Sequence, residues 1–436
     1  MSEADLERTT MRKVLWRLLP VLFVSYVVSI LDRVNVGFAA LTMNNDLGLS
    51  TTAFGLGAGL YFLTYFFFEV PSNLALERFG ARRWLARIMF TWGLVSGATA
   101  FVWDEYSFYA VRLLLGAAEA GFFPGVVFFF ALWIPAGYRA RALAAMIAAA
   151  AVASAIGSPV SGLLLQLDGL AGLRGWQWMF LLEAVPALLM APIILGVLSD
   201  KPEDASWLRN SERDWLRESL DEEKRQRDTP EQRGVLDLLR SPMVVCLCVA
   251  YFGILGFYYG LVFFLPQIVQ QLGLTIVQTG FVSAIPFAVG MLGVMWWGRR
   301  SDRMEERRFH LLLPLVVAVI GLAGATFAAS PAVKLALLSA CAFGVYSTVA
   351  IFWSWSPKLL APATAAAGIA LINSLGNLSG FVGPYAIGAI KDLTGSFSGG
   401  LQLISGFGLI SLLILTVLTH RQPNRAAGLE RVSVAS

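Results

Sequence analysis

Apolar residues in this chain run in long unbroken stretches separated by short polar segments, with no alternation of apolar and polar positions. A helix that crosses a bilayer needs about 20 predominantly apolar residues. On that scale the stretches near 15–42, 53–76, 84–103, 106–134, 140–166 and 176–199 each predict a spanning helix. After a polar interval the pattern resumes near 243–271, 277–298, 309–330, 333–357, 362–390 and 399–420. Period-two strands of a membrane barrel are excluded by the pattern, and hydrocarbon leaves backbone donors and acceptors only each other as partners. The expected fold is an all-α polytopic membrane protein with twelve transmembrane helices in two six-helix bundles. The expected bundles are residues 1–199 and 242–436, joined by a linker over 200–241.

Composition sharpens this picture without changing it: 57% of residues are hydrophobic and 14% charged, far from a soluble domain. The polar start MSEADLERTTMRK leads into an apolar run longer than a signal-peptide core, with no small-residue cleavage pattern, so the first span is expected to be retained. Placing both termini in the cytoplasm puts nearly all of the 33 Lys and Arg residues on that side. Arg174, Lys334 and Lys391 fall on the other side, and Arg33 and Arg112 lie inside spans. A multi-pass protein of the cell (inner) membrane follows, with the net charge of +4 explained by topology and no patch suited to nucleic acid. Cys246, Cys248 and Cys341 sit in apolar runs without metal or disulfide spacing. No nucleophile string, phosphate-cradling glycine loop or nucleotide-binding domain is present to support an enzyme or a primary pump.

The linker carries the dense charge run SERDWLRESLDEEKRQRDTPEQR with weak helical periodicity and reads as an amphipathic cytoplasmic linker on the membrane surface, with a solvated connector that has no role in transport as the alternative. The two halves echo each other. Glu77-Arg78-Phe79-Gly80-Ala81-Arg82-Arg83 follows span 2, and Gly298-Arg299-Arg300-Ser301-Asp302-Arg303 follows span 8. Matched placement of such loops implies internal duplication. Glu77, Arg78, Arg82, Asp302 and Arg303 are the candidate cytoplasmic gate residues.

On these features the chain resembles the major facilitator superfamily over nearly its whole length, with Glu77 for the usual Asp and Asn73 for the leading Gly of the signature loop. More narrowly it resembles the anion:cation symporter family. The strings are Leu31-Asp32-Arg33-Val34-Asn35, Arg112 to Pro124 (RLLLGAAEAGFFP) and Asn373 to Pro384 (NSLGNLSGFVGP). Phe68 to Leu74 (FEVPSNL) looks like the branch that handles tartrate, phthalate, nicotinate and related carboxylates. The resemblance implies alternating access, acids of spans 1 and 4 as proton sites, and Asn373 and midspan aromatics beside the substrate.

An ionisable side chain at membrane depth is a functional candidate by default. Asp32, Arg33, Glu69, Arg112, Glu119 and Glu183 are such residues, all in the first half. Arg112 and Glu119 are seven apart, on one helix face about 10 Å from each other. Asp32 and Arg33 diverge by about 100° around their helix and need not pair. Arg33 or Arg112 is expected to bind a substrate carboxylate, because a guanidinium stays charged and bonds bidentately. Asp32 and Glu119 are the expected proton-coupling residues. The competing reading is a permanent neutral cluster that fixes helix packing. Tyr61, Tyr258, Trp353, Asn373 and Asn377 complete the substrate candidates, with Tyr259 and Trp355 as further midspan aromatics and interhelical packing as the alternative for each. Glu69 is expected at a helix end or gate, and Glu183 as an interfacial or packing residue. His310 and His420 lie near the membrane surface, off any midplane proton path. The expected function is proton-coupled uptake of a small organic anion such as tartrate, an aromatic acid or a sugar acid, with uncoupled or sodium-coupled transport as the alternative. No cofactor beyond the coupling proton and no metal is expected, and a monomer in the lipid bilayer.

Overall fold

The computed structural model describes residues 3–227, 238–360 and 365–420. Regular structure among the described residues is helical throughout. The first half comprises α1 (Glu3–Asp46), α2 (Thr51–Phe79), α3 (Ala81–Ala98), α4 (Glu105–Glu119), α5 (Phe122–Trp133), α6 (Ala136–Leu164) and α7 (Gly175–Val197). The linker holds α8 (Asn210–Arg227). The second half comprises α9 (Pro242–Gln270), α10 (Ile276–Met304), α11 (Arg308–Ala325), α12 (Pro331–Trp355), α13 (Ala365–Asn377), α14 (Ser379–Thr394) and α15 (Ser398–His420).

Among the described residues, ten helices are long and apolar enough to cross a membrane by length and composition, with α4 and α5 forming one of them. The other two crossings have local explanations. Arg82, Arg83 and Arg87 occupy the first turns of α3, and the eleventh span is divided at Leu378 into α13 and α14. Residues 362–364, assigned to that span from sequence, lie outside the described residues. The chain therefore has the all-α, twelve-span architecture expected.

Helix ends are set by ordinary capping chemistry. Ser50 accepts from the Ala53 N–H at 3.0 Å, and Asp104 with Ser107 forms a reciprocal capping box at the start of α4. Within the first half α3 packs on α7, α2 on α4 and α1 on α6, and within the second α11 packs on α12, α10 on α12 and α9 on α15. Across the halves, α2 meets α14, α6 meets α10 and α1 meets α9.

These cross-contacts concentrate at the face opposite the linker, here called the far face. A Cβ on Gly55 would lie 2.3 Å from the Pro384 carbonyl oxygen, and one on Gly388 2.3 Å from that of Thr51. Asp392 completes the closure by accepting from the Thr51 N–H at 3.1 Å, the Thr52 N–H at 2.7 Å and the Thr52 hydroxyl at 2.6 Å. The first three amides of α2 are thus all taken, one by its own cap and two by the opposite half.

The linker helix packs on the first half. Leu216 and Leu220 are buried, Lys13 pairs with Glu212 at 2.6 Å and Arg139 with Glu223 at 3.0 Å. Just ahead of it, Trp207 stacks on Trp133 with ring centroids 5.6 Å apart. The apolar stripe finds protein to cover it, each leucine contributing about 1.5–3 kcal/mol. Residues 228–237 of the linker lie outside the described residues.

Candidate functional site

The charged residues come together because span 4 breaks. Pro124 has no N–H and its ring crowds the carbonyl four residues back, at Ala120. Gly121 turns the chain at φ +85°, and a Cβ there would also lie 2.4 Å from the Ser72 hydroxyl. Glu119 is therefore the last residue of α4, at a break in the span, a feature that membrane transporters use to place charge at mid-depth. Gly116 lets α4 approach α2 closely, since a Cβ there would lie 2.1 Å from the Tyr61 carbonyl oxygen.

Glu119 is met by three donors. Arg33 reaches Oε1 through Nη2 at 2.6 Å, Ser29 donates to the same oxygen at 2.8 Å, and the Tyr61 hydroxyl donates to Oε2 at 2.5 Å. The same Arg33 nitrogen donates to the Tyr61 hydroxyl at 2.9 Å. Asp32 turns the other way, into its own half. It accepts from Trp92 Nε1 at 2.7 Å, from the Ser96 hydroxyl, and from Asn35 Nδ2 at 3.3 Å. The adjacent pair Asp32 and Arg33 thus splits between two helix faces.

Arg112 lies against the Tyr61 ring, its guanidinium carbon 5.2 Å from the ring centroid, and Arg33 sits 5.4 Å from the same centroid. One aromatic ring is shared by two cations. Nε and Nη2 of Arg112 and Nε of Arg33 are buried without an acceptor. The two arginines differ in access: the Arg33 side chain is 15% exposed, whereas Arg112 is sealed at 1%.

The second half faces this cluster with aromatics and amides. Tyr259 donates to Asn377 at 2.6 Å and packs on Phe62 of the first half at 4.4 Å. Tyr258 is half-buried beside Tyr259 and Tyr346. Trp353 donates to the Tyr251 hydroxyl at 2.9 Å, and Asn373 is half-buried on α13. Tyr346 reaches Ser154 across the halves at 3.4 Å. Ser29, Trp92, Ser96 and Tyr251 were not singled out from sequence. Ser29 precedes Arg33 by four residues, one helical turn, and that spacing was the available signal.

Outside the cluster, Glu69 accepts from Ser374 of the second half at 3.1 Å, on the linker side of the site. Glu183 is buried between α6 and α7 and not placed at the lipid interface; Ser161 donates to it at 2.8 Å. In the loop after span 2, Arg82 is tied to Asp200 through its backbone N–H at 2.9 Å and to the Leu195 carbonyl through Nε at 2.8 Å. Arg78 lies over Phe79 and Glu77 is exposed. In the loop after span 8, Asp302 pairs with Arg307 at 2.7 Å and Arg308 contacts His420, while Arg303 is exposed. In each half the loop is thus tied to the end of that half's last span.

Two six-helix halves that meet around buried charge define a membrane transporter, and not an enzyme. The chain belongs to the Major Facilitator Superfamily, whose profile it matches over residues 22–384. It is 46% identical over 96% of its length, and 93% of the relative's, to an Agrobacterium vitis protein provisionally described as a tartrate transporter. It is 39% identical over 98% of its length to a quinolone resistance transporter of Acinetobacter baumannii, covering 99% of that protein. The inner membrane transport protein RhmT of Escherichia coli is 37% identical, covering 93% of this chain and 94% of that one. Among solved structures, a bacterial homologue of the human lysosomal transporter Spinster superposes with a TM-score of 0.75 at 16% identity, over 93% of this chain and 97% of that one.

Proposed function

We propose that the protein carries a small organic carboxylate together with protons, by alternating access between its two halves. The observation that carries this reading is the set of guanidinium N–H groups on Arg33 and Arg112 buried without acceptors where the halves meet. Each costs about 1–3 kcal/mol or more while unpaired, and an incoming carboxylate removes that cost. Arg33, the more accessible, makes the direct contact, and Arg112 holds the field behind Tyr61. Tyr258, Trp353, Asn373 and Asn377 supply fit and neutral hydrogen bonds from the opposite half.

Protons enter because the cluster, Asp32 and Glu119 against Arg33 and Arg112, balances its charges without substrate. An added anion leaves it negative unless a proton accompanies it. When substrate takes Arg33, Glu119 loses its counter-charge and binds a proton instead. Substrate and proton then favour each other, as linkage requires. The relatives described for tartrate support the carboxylate class, and the Lys and Arg distribution assigns the linker face and both termini to the cytoplasm.

A second reading is outward transport, favoured by the relative described for quinolone resistance. One assay separates them: purified protein in sodium-free proteoliposomes under an imposed pH gradient, with radiolabelled tartrate and a panel of aromatic and sugar acids. Accumulation into the alkaline compartment that a protonophore abolishes supports symport. Uptake indifferent to the gradient, or dependent on added sodium, overturns proton coupling, and accumulation into the acidic compartment supports outward exchange.

A further inference from the structure

Glu183 is a buried carboxyl to which the transport reading assigns no step. Ser161 of α6 donates to its Oε1, while Oε2 is buried without a donor. Asn35 of α1 is its neighbour and shows the matching defect. The Asn35 Nδ2 donates to Asp32 at 3.3 Å, and its Oδ1 is buried without a donor. Two acceptors on neighbouring groups lack a hydrogen. A proton on Glu183 Oε2 supplies it, because a protonated carboxyl is a donor.

The surroundings require that proton. Of the elements packed on α7, α1 brings Asp32 toward Glu183 and α6 brings Ser161. From α3 come Trp92 and Ser96, both neutral donors to Asp32. Farther on, Asp32 senses Glu119 and Arg112 of α4. No Lys, Arg or His pairs with either carboxyl among the described residues. Arg112 acts on Asp32 but no cation among the described residues acts on Glu183, so the two buried carboxylates repel each other and Glu183 forfeits its hydration without return.

We propose that Asp32, Asn35 and Glu183 form a second proton-holding unit, separate from the Arg33–Glu119 pair, in which one proton is shared by the two carboxyls. The proposal rests on the proton-coupled reading and extends it to a site behind the substrate. The amide enforces the sharing. With Glu183 protonated, its O–H donates to Asn35 Oδ1 while Nδ2 donates to Asp32. With the proton on Asp32, the amide turns over, Nδ2 donates to Glu183 and Oδ1 accepts from Asp32. In either orientation one carboxyl is neutral and one charged, so the pair titrates as a unit.

Infrared difference spectroscopy on the full-length reconstituted protein tests this directly. A protonated-carboxyl stretch is expected in the wild type, fading as pH rises, and missing in Glu183→Gln. Ser161→Ala strips a donor from the charged form, so the band should persist to a pH higher by about half to one unit. That variant also carries the test if Glu183→Gln fails to fold. In proteoliposomes, Glu183→Gln is expected to keep substrate-induced thermal stabilisation while the pH profile of accumulation changes in shape, the Glu119 proton remaining. A wild-type band that is absent or constant with pH, an unmoved band in Ser161→Ala, or a wild-type pH profile in Glu183→Gln overturns the proposal. A titrating band in a protein whose transport ignores pH overturns the proton-coupled reading and leaves the proton-holding unit standing.

Discussion

Removing the Asp392 carboxylate is expected to open the far face. Its three bonds to the first turn of α2 are the polar link between the halves there. Losing a helix cap costs about 0.5–2 kcal/mol, and exposure of Asp392 screens its charge and holds the value to about 0.5–1 kcal/mol. That free energy corresponds to a roughly 2- to 5-fold rise in the far-face-open population for Asp392→Ala. Thr52→Val, which keeps both backbone bonds, should give a smaller rise. Pulsed electron resonance between labels at Asn45 and Ser396, both exposed, reads the far-face separation. An unchanged distance distribution in Asp392→Ala would refute the latch. The pH dependence has a definite sign. Burial pulls the Asp392 carboxyl upward, but the Thr52 hydroxyl and amide, and then the Thr51 groups, outweigh it and hold it below the usual range. A group lowered in the latched state stabilises that state above its unlatched value, about 4, and the stabilisation fades as pH falls below it. The latch should therefore be insensitive to pH between about 5 and 8.

Glu119→Gln should abolish gradient-driven accumulation while preserving substrate exchange; unchanged accumulation in proteoliposomes would remove Glu119 from the proton path. Arg112→Ala should weaken substrate binding severalfold through loss of the buried positive field and not of a direct contact, as read by thermal shift against tartrate. Gly121→Ala forces a Cβ onto a left-handed residue and against Ser72. It should lower stability by about 1–2 kcal/mol and displace Glu119, and Ser72→Gly, which removes both Ser72 side-chain atoms in the way, should relieve the clash but not the backbone strain. Glu212 is held below its usual range because burial is outweighed by the Lys13 hydrogen bond, the Arg209 amide and both positive charges. Glu212→Gln should loosen the linker, seen as faster proteolysis near α8, and in the wild type the same loosening should appear only as pH falls below about 4.

The spans were legible because each is a long apolar run with its own polar boundary. Their interruptions were less so. The break after Glu119 depends on Pro124 acting four residues back, while the surrounding string RLLLGAAEAGFFP keeps the composition of one continuous span. Membership of the charged cluster followed from the rarity of ions at that depth, whereas the pairings did not. That Glu119, and not Asp32, meets Arg33 depends on how α1 rotates between α4 and α3, a tertiary fact with no local sequence signature. Glu183 shows the same limit: Trp176 and Trp178 beside it suggested an interface, but helix phase turns the carboxyl inward toward Ser161. The linker's charge pattern did not show what its apolar stripe packs on, and the Trp133–Trp207 stack that ties this region to the first half joins residues far apart in the chain.

The distribution of charge between the halves bears on how they can move. The Arg33–Glu119 pair and the donors to Asp32 all belong to the first half. Among the described residues, rocking one half against the other therefore separates no buried ion pair, a step that would cost about 3–5 kcal/mol. What must part at the far face is an exposed carboxylate cap, glycine-lined backbone contacts, and the aromatic contact of Phe62 with Tyr259. Glu69 is the exception: a buried carboxyl bonded to Ser374 across the halves, on the linker side. Its bond must break when that side widens, so Glu69→Gln should shift the resting population only modestly, because a neutral amide can still accept from Ser374. Glu69→Leu cannot, and a larger shift in Leu than in Gln, read with labels near the linker face, distinguishes a hydrogen-bonded gate from simple packing at that position.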